Sequence, residues 1–422
     1  MLKEACFKLN DGYDPDTVLK YTSFVEEIIG NDAQNELIRM NCFYKKNMLD
    51  EAYHCIKKSS ELPNGQKDSV IFYNRGIIEA ETGRYTDAIQ SYNKSIQLNP
   101  QNKIAALNLS QLKIKLGMWK EGWKEFEVRN EAVGYMIENE RYMKWLYEKY
   151  DGSQDLKDKK VILLNDQGFG DLILFYRFFD RLKERGAKIT LCAEPDIQEL
   201  IRAQDKDISF CTAEDIKKGL VTSDYYCSPS SLIHLLDIKN DASLWKGIYI
   251  DAPKKDFDVL SKTKKNIALV HFGGAHAYDF RRSILLSEFC KIQSKKANLF
   301  LISKLHQPTR NWNGKQVKID NIKSPYPVVS DLNTWFETAQ LLKSIDLLIT
   351  VDTGIAHLAC AMGIPTWILL DYSCDYRWGT AGSSSNFYPS VKLFRQKNRK
   401  SWDEVFKQIN QEIDFLCSAN KP

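Results

Sequence analysis

One stretch constrains this chain more than any other: Asp346-Leu-Leu-Ile-Thr-Val-Asp-Thr-Gly-Ile-Ala-His-Leu-Ala-Cys-Ala-Met-Gly363-Ile-Pro365. Leu347 to Val351 is a continuous apolar run, the pattern of a parallel strand covered on both faces. Asp352 and Thr353 are helix-starting residues, and Gly354 lets the backbone come close to whatever lies above it. A helix is expected over Ile355 to Met362, closed by Gly363 and stopped by Pro365. A second buried strand is expected over Thr366 to Leu370. A strand feeding straight into a helix aims free amides and a partial positive charge at one point, which is an anion site. His357 lies about one helical turn after Asp352 and can reach back toward that point or simply be packed.

The first third has a different period. Within Ser69 to Asn102, Phe72, Gly76, Gly83, Tyr85, Ala88, Tyr92 and Pro100 fall at the aromatic, small and closing positions of a 34-residue tetratricopeptide repeat. One period forward gives Ala106, Leu109, Leu116-Gly117, Trp119 and Phe126. One period back gives Phe43, Ala52, Ile56 and Pro63, displaced by roughly two residues. Residues 1–130 therefore read as a short helical solenoid, and an ordinary helical bundle is the competing reading. Such a solenoid binds a partner chain, holds an oligomer together, or both. Residues 131–160 read as a connector that ends in a charged, turn-rich segment.

Composition narrows the rest. The 422 residues suffice for two or three domains, and a net charge of +4 gives no support to a nucleic-acid-coating protein. The ten cysteines are scattered without a C-x-x-C pair, so neither a zinc site nor a disulfide framework is indicated. The histidines form no H-x-x-x-H pattern, and no metal site is expected. The start of the chain lacks the apolar core of a signal peptide, and no apolar run approaches membrane-spanning length. Together these favour a cytoplasmic protein with no membrane span and no nucleic-acid partner.

Two α/β domains are expected after the connector, over 161–255 and 256–422. In the first, Val161 to Asn165 reads as a strand, Asp166-Gln-Gly-Phe-Gly-Asp171 as a glycine-rich turn, Leu172 to Arg185 as one helix, and Lys188 to Cys192 as the next strand. Gln167, Gly168 and Gly170 form the turn. Position 173 is Ile where a dinucleotide fingerprint has its third glycine, so a nicotinamide or flavin reading is weak. Asp171 lies at the helix start on the carboxyl edge of the sheet, where it either caps the helix or meets a ligand. In the second domain Lys265 to His271 reads as a strand that opens into a loop carrying Arg281 and Arg282. That pair is a solvated charge cluster if taken alone. With the facing Thr353-Gly354 helix start it can hold a diphosphate between amides and guanidinium forks. There is no P-loop and no G-x-S-x-G elbow.

These residues together resemble bacterial proteins that join tetratricopeptide repeats to a GT-B glycosyltransferase domain. The C-terminal half resembles lipopolysaccharide heptosyltransferases (glycosyltransferase family 9) and, more distantly, O-linked N-acetylglucosamine transferase. The likeness rests on Leu116 to Arg129, Asp166 to Asp171, Arg281-Arg-Ser283, Val351 to Ala359 continuing to Pro365, and Asp375-Tyr-Arg-Trp378 with Tyr388-Pro389 and Leu393 to Gln396. It implies a GT-B fold, two facing Rossmann-like domains behind the helical solenoid, with the acceptor on the first domain and the nucleotide-sugar on the second. It implies that Asp352, Thr353, Gly354 and His357 meet the donor diphosphate and that Asp171 is the base. The sequence departs from the family at Asp166 and Phe169, where Glu and Leu are commoner, and its arginine loop lacks the heptosyltransferase lysine.

The implied function is transfer of a sugar from a nucleotide-sugar, a co-substrate rather than a bound cofactor, to a hydroxyl on a protein gripped by the repeats. The reaction implied is metal-independent. A glycan or lipid-linked acceptor, with the repeats forming a homo-oligomer, is one alternative. A repeat scaffold with a catalytically dead GT-B half is the other.

Overall fold

The computed structural model describes residues 14–132, 143–144, 146–165, 167–241, 244–273, 282–303, 309–312, 315–318, 324–399 and 401–418. Asp166 and Arg281 therefore lie outside the described residues. The chain divides into two units: Met1–Ile137 together with Asp375–Thr380, and Glu138–Cys374 together with Ala381–Pro422.

The first unit contains the helices Pro15–Ile29, Ala33–Lys45, Leu49–Glu61, Ser69–Glu81, Tyr85–Leu98, Lys103–Lys115 and Trp119–Glu125. Each packs on the next in sequence, the nearest-neighbour pattern of a solenoid. Side chains of Asp32, Asp68 and Asn102 cap alternate helices by accepting backbone amides. The Asp32–Asp68 interval is two residues longer than the Asp68–Asn102 interval, which is the displacement seen in the sequence. The extra residues sit in the turn around Gly65, where a Cβ would lie 1.9 Å from the Ser59 carbonyl oxygen. Within the regular repeat, Gly76 receives the Tyr92 ring at a distance that leaves no room for a methyl group. Asp375–Thr380 belongs to this unit through Tyr376, whose ring centroid is 6.1 Å from that of Trp123 and 5.8 Å from that of Phe126.

The second unit holds two parallel sheets. The first contains β1 (Glu148–Lys149), β2 (Lys160–Leu164), β3 (Lys188–Cys192), β4 (Ser209–Cys211) and β5 (Tyr225–Cys227), in the order β1-β5-β2-β3-β4. The second contains β6 (Lys265–Val270) and β7 (Ala297–Ile302). After a small antiparallel hairpin, β8 (Thr309–Trp312) and β9 (Lys315–Lys318), it continues with β10 (Val328–Val329), β11 (Leu347–Val351), β12 (Thr366–Leu370) and β13 (Val391–Arg395). Its order is β10-β7-β6-β11-β12-β13. β11 and β12 are buried at every residue, which is why both read as unbroken apolar runs. The helix Asp403–Ser418 covers one face by burying Val405, Phe406, Ile409 and Ile413.

Some local expectations change. The helix expected over Leu172 to Arg185 is two helices, Phe169–Tyr176 and Phe179–Glu184. The Leu174 carbonyl, which a continuous helix would give to the Phe178 amide, accepts the Arg177 Nε at 2.9 Å, and the Phe178 amide turns to Phe175. The helix Gly354–Ala361 begins one residue early, with Thr353 as its N-cap. Part of the stretch expected as connector supplies β1 to the edge of the first sheet.

Candidate functional site

The strand order fixes where a ligand would sit. In the second sheet the chain moves from β6 outward to β7 and β10, then returns to place β11 on the other side of β6. The loops leaving β6 and β11 therefore diverge, and the crevice between them is the binding position of doubly wound sheets. The first carries the arginine loop, the second Asp352-Thr-Gly354. In the first sheet the same reversal occurs between β2 and β5, and the turn leaving β2 is Gln167 to Asp171. Both turns singled out in the sequence stand at switch points.

The β11 turn is braced by hydroxyls. Thr353 accepts the Ala356 amide at 3.4 Å, and its hydroxyl lies 3.2 Å from that of Thr350. Asp352 is buried. The Phe169–Tyr176 helix has Gly168 as N-cap, with no side-chain bond there. Gln167 and Asp171 are half-buried, and the Asp171 amide donates to the Gly168 carbonyl at 3.0 Å.

The two turns meet. A Cβ built on Gly170 would lie 3.0 Å from His357 Cδ2 and 3.1 Å from Gly354 Cα, and one built on Gly354 would lie 2.7 Å from the Trp335 ring. Two helix N-termini, each with partial positive charge, are brought together through a pair of glycines. Phe169 and Trp335 close the junction with ring centroids 5.5 Å apart. The structure thus brings Gly170, Gly354 and His357 together.

Arg282 is held at the β6 side. The ends of its loop are tied by Ile284 N to His271 O (2.9 Å) and by Gly273 N to the Ser283 hydroxyl (3.0 Å). His271 Nδ1 lies 2.8 Å from the Ile284 carbonyl and must donate to it. The Arg282 guanidinium then lies along Gly273, its Nε 3.1 Å from where a Cβ would be.

His357, 5% exposed, places its Nδ1 2.9 Å from the Tyr388 hydroxyl. Behind Tyr388 stand Tyr249 and Arg177, which the sequence reading did not select. Arg177 donates from Nη2 to the Tyr249 hydroxyl at 2.8 Å and from Nη1 to the Phe387 carbonyl at 2.7 Å. Its guanidinium carbon lies 4.6 Å from the Tyr388 ring centroid and 4.7 Å from that of Tyr249. Burial pushes both phenols above their usual value, so both remain neutral hydroxyls. Nothing near Arg177 in sequence signals this role. Tyr388 lies in one of the stretches that carry the family resemblance.

Residues 69–102 match the tetratricopeptide repeat family, and residues 334–410 match glycosyltransferase family 9 (heptosyltransferase). No curated protein matches the sequence. Among solved structures the chain is similar to the iron-containing dodecameric glycosyltransferase TibC of enterotoxigenic E. coli, at 14% identity over 64% of this chain and 78% of that one, with a TM-score of 0.44. It is similar to an O-GlcNAc transferase of Thermobaculum terrenum at 11% identity over 99% and 90% of the two chains, with a TM-score of 0.33. It is also similar to the E. coli ADP-heptose lipopolysaccharide heptosyltransferase II at 11% identity over 62% and 100%, with a TM-score of 0.40. No residue role is carried across at these identities. The chain joins a helical unit, part of which matches the tetratricopeptide repeat, to an α/β unit with two parallel sheets, part of which matches glycosyltransferase family 9, and that match supports glycosyl transfer. Among the described residues no helix is long and apolar enough to cross a membrane.

Proposed function

We propose that this chain moves a sugar from a nucleotide-sugar to a hydroxyl on a protein held by the repeats. The observation that carries the reading is the meeting of the two switch-point turns at Gly170 and Gly354, with Asp171 on one side and the Thr353-Gly354 helix start and Arg282 on the other. The acceptor hydroxyl attacks the anomeric carbon, its proton passes to the Asp171 carboxylate, and the nucleoside diphosphate departs. The amides of Gly354 and Ile355, the arginine loop with Arg281 and Arg282, and His357 stabilise the charge that grows on the leaving phosphate. Asp352 orders the turn from below. Gln167, Gly168 and Gly170 let the acceptor approach. On this reading the nucleotide-sugar is a co-substrate, and neither a resident cofactor nor a metal is assigned a step.

The cysteines left as free thiols favour a reducing compartment, hence the cytoplasm. The repeats serve the acceptor protein, and the same surface type can join copies of the chain. The test is a thermal-shift screen of nucleotide-sugars followed by turnover with the stabilising donor, since a ligand of the folded state raises its stability. Stabilisation by one donor with release of its nucleoside diphosphate is expected. Absence of stabilisation across all donors leaves the scaffold reading in its place.

A further inference from the structure

We propose that the paired rings of Phe169 and Trp335 are the wall against which the transferred sugar packs, and that they discriminate between sugars. The inference rests on the donor site read above and adds the group that stands beside the reacting carbon. Each ring is carried by the first residue of a helix, Phe169–Tyr176 in one case and Trp335–Leu342 in the other. Gly354 is the first residue of the helix Gly354–Ala361, so three helix starts converge here. The Trp335 ring carbons Cη2 and Cζ2 lie 2.7 and 3.5 Å from where a Gly354 Cβ would be, and the Phe169 and Trp335 ring centroids are 5.5 Å apart. A capping box fixes the start of the Trp335 helix. Glu337 N donates to the Thr334 hydroxyl at 3.1 Å, and the Glu337 carboxylate accepts the amides of Asn333 at 2.6 Å and Thr334 at 3.3 Å.

Both rings face inward, yet neither is sealed. Leu172, Ile173 and Tyr176, three, four and seven residues after Phe169, are buried, as are Thr338, Ala339 and Leu342 at the same offsets from Trp335. Phe169 and Trp335 thus stand on the core-facing stripes of their helices, where a large ring is expected to be covered. Both are only half-buried. The surface they keep therefore opens at the helix starts, toward the crevice at the carboxyl edge of the sheets. The indole N–H belongs to the same opening. Among the described residues no hydrogen bond engages it, and it is not one of the sealed polar atoms. Only Cε2 separates it from Cζ2, one of the two carbons that meet the Gly354 turn.

Charge decides what suits such a wall. The face of an aromatic ring is negative and its edge positive, so phosphate oxygens avoid the face while the C–H bonds of a sugar ring are drawn to it. The indole N–H on the rim offers a donor to a sugar hydroxyl. Position separates the sugar from the nucleobase, which also stacks on aromatic faces. On the reading above, the diphosphate lies at the amides of Gly354 and Ile355, and the proton acceptor is Asp171, two residues after Phe169. The anomeric carbon must lie between them, and the rings flank that same interval. The base stands two phosphates and a ribose away. Phe169 is also a place where the sequence departs from its likeness, Leu being commoner there, and a Leu has no ring to set against Trp335.

The experiment is calorimetric titration of the full chain with ADP, GDP and UDP, each free and as its hexose conjugates. The parent, Trp335→Leu, Trp335→Phe and Phe169→Leu are compared, with melting curves in parallel. Trp335→Leu is expected to weaken the conjugates about three- to tenfold and to leave the free diphosphates unchanged, with Trp335→Phe keeping part of the difference. Phe169→Leu should act in the same direction and change the order of preference among the hexoses. Equal losses for free and conjugated forms, or none, in a folded Trp335→Leu overturn this proposal alone and leave the rings as packing between helices. If that variant does not fold, Trp335→Phe and Phe169→Leu decide on the same comparison. A parent that binds neither form of any nucleotide ends the donor-site reading and this proposal with it.

Discussion

The turn after β2 and the turn after β11 share one construction and differ in how the following helix is begun. After β11 a threonine caps the helix, a second threonine steadies it, and a histidine on the first turn is wired into the interior. After β2 the cap is a glycine with no side chain, and the ionisable group is a carboxylate on the first turn. One side is rigid and rich in donors, and the other carries a proton acceptor on a barer frame. Two like dipole ends pressed together repel, so the junction favours an anion between them. On the proposed function, charge stabilisation falls to the braced turn and proton removal to the open one.

The largest effect should come from erasing the acceptor. Asp171→Asn is expected to lower single-turnover transfer about a hundred- to ten-thousand-fold while leaving melting temperature and nucleotide affinity close to the parent. An Asn variant that transfers at the parent rate would make the two turns alike, both merely helix starts. The donor side is tested next. Arg282→Ala should weaken nucleoside diphosphate binding about ten- to a hundredfold in calorimetry, with Arg282→Lys recovering part of it, because an ammonium cannot form the guanidinium fork. Equal affinity for all three proteins would make Arg282 a surface charge.

A third test addresses the meeting of the turns. Gly170→Ala must push apart His357 and the Gly354 backbone and should cost about 1–3 kcal/mol in denaturant unfolding. Gly168→Ala, whose nearest neighbour would be 3.9 Å away, should be nearly silent. Equal effects would show that the close approach does not matter to stability. The smallest change is expected from the cap. The 3.4 Å bond to Ala356 is long, so Thr353→Ala should sit near the lower end of the range for cap losses, about 0.5–2 kcal/mol, with Thr353→Ser close to the parent in the same measurement.

How far the sequence carried the reading depended on the range of the signal. β11 and β12 fall on the residues expected, because a strand buried on both faces writes itself as an apolar run between turn residues. The repeat frame, with its two-residue slip, was legible because aromatic, small and closing residues recur at a fixed spacing. Thr353, Gly354, Gly168 and Gly170 could be found because each imposes a local backbone requirement. The break after Tyr176 could not, since it arises from a side chain competing for a carbonyl within an otherwise amphipathic helix. The partnership of Arg177 with Tyr249 and Phe387 spans 72 and 210 residues and leaves no periodic trace. The strands β1 and β13 were missed for a related reason, as edge strands with mixed polarity resemble loops.

The six residues Asp375–Thr380 carry a consequence for how such a chain can be changed by recombination. They follow β12 in sequence, yet they are counted with the helices, and Tyr376 and Trp378 are buried. The chain passes between its two units three times rather than once. The repeats are consequently not a cassette that a single exchange can replace. A chain shortened to begin at Glu138 would leave the buried Tyr376 ring without Trp123 and Phe126. A new repeat array fused at the same point would need to bring its own counterpart to Trp123 and Phe126. The repeats can diversify along their outer positions, but the last of them is tied to a loop written more than two hundred residues downstream.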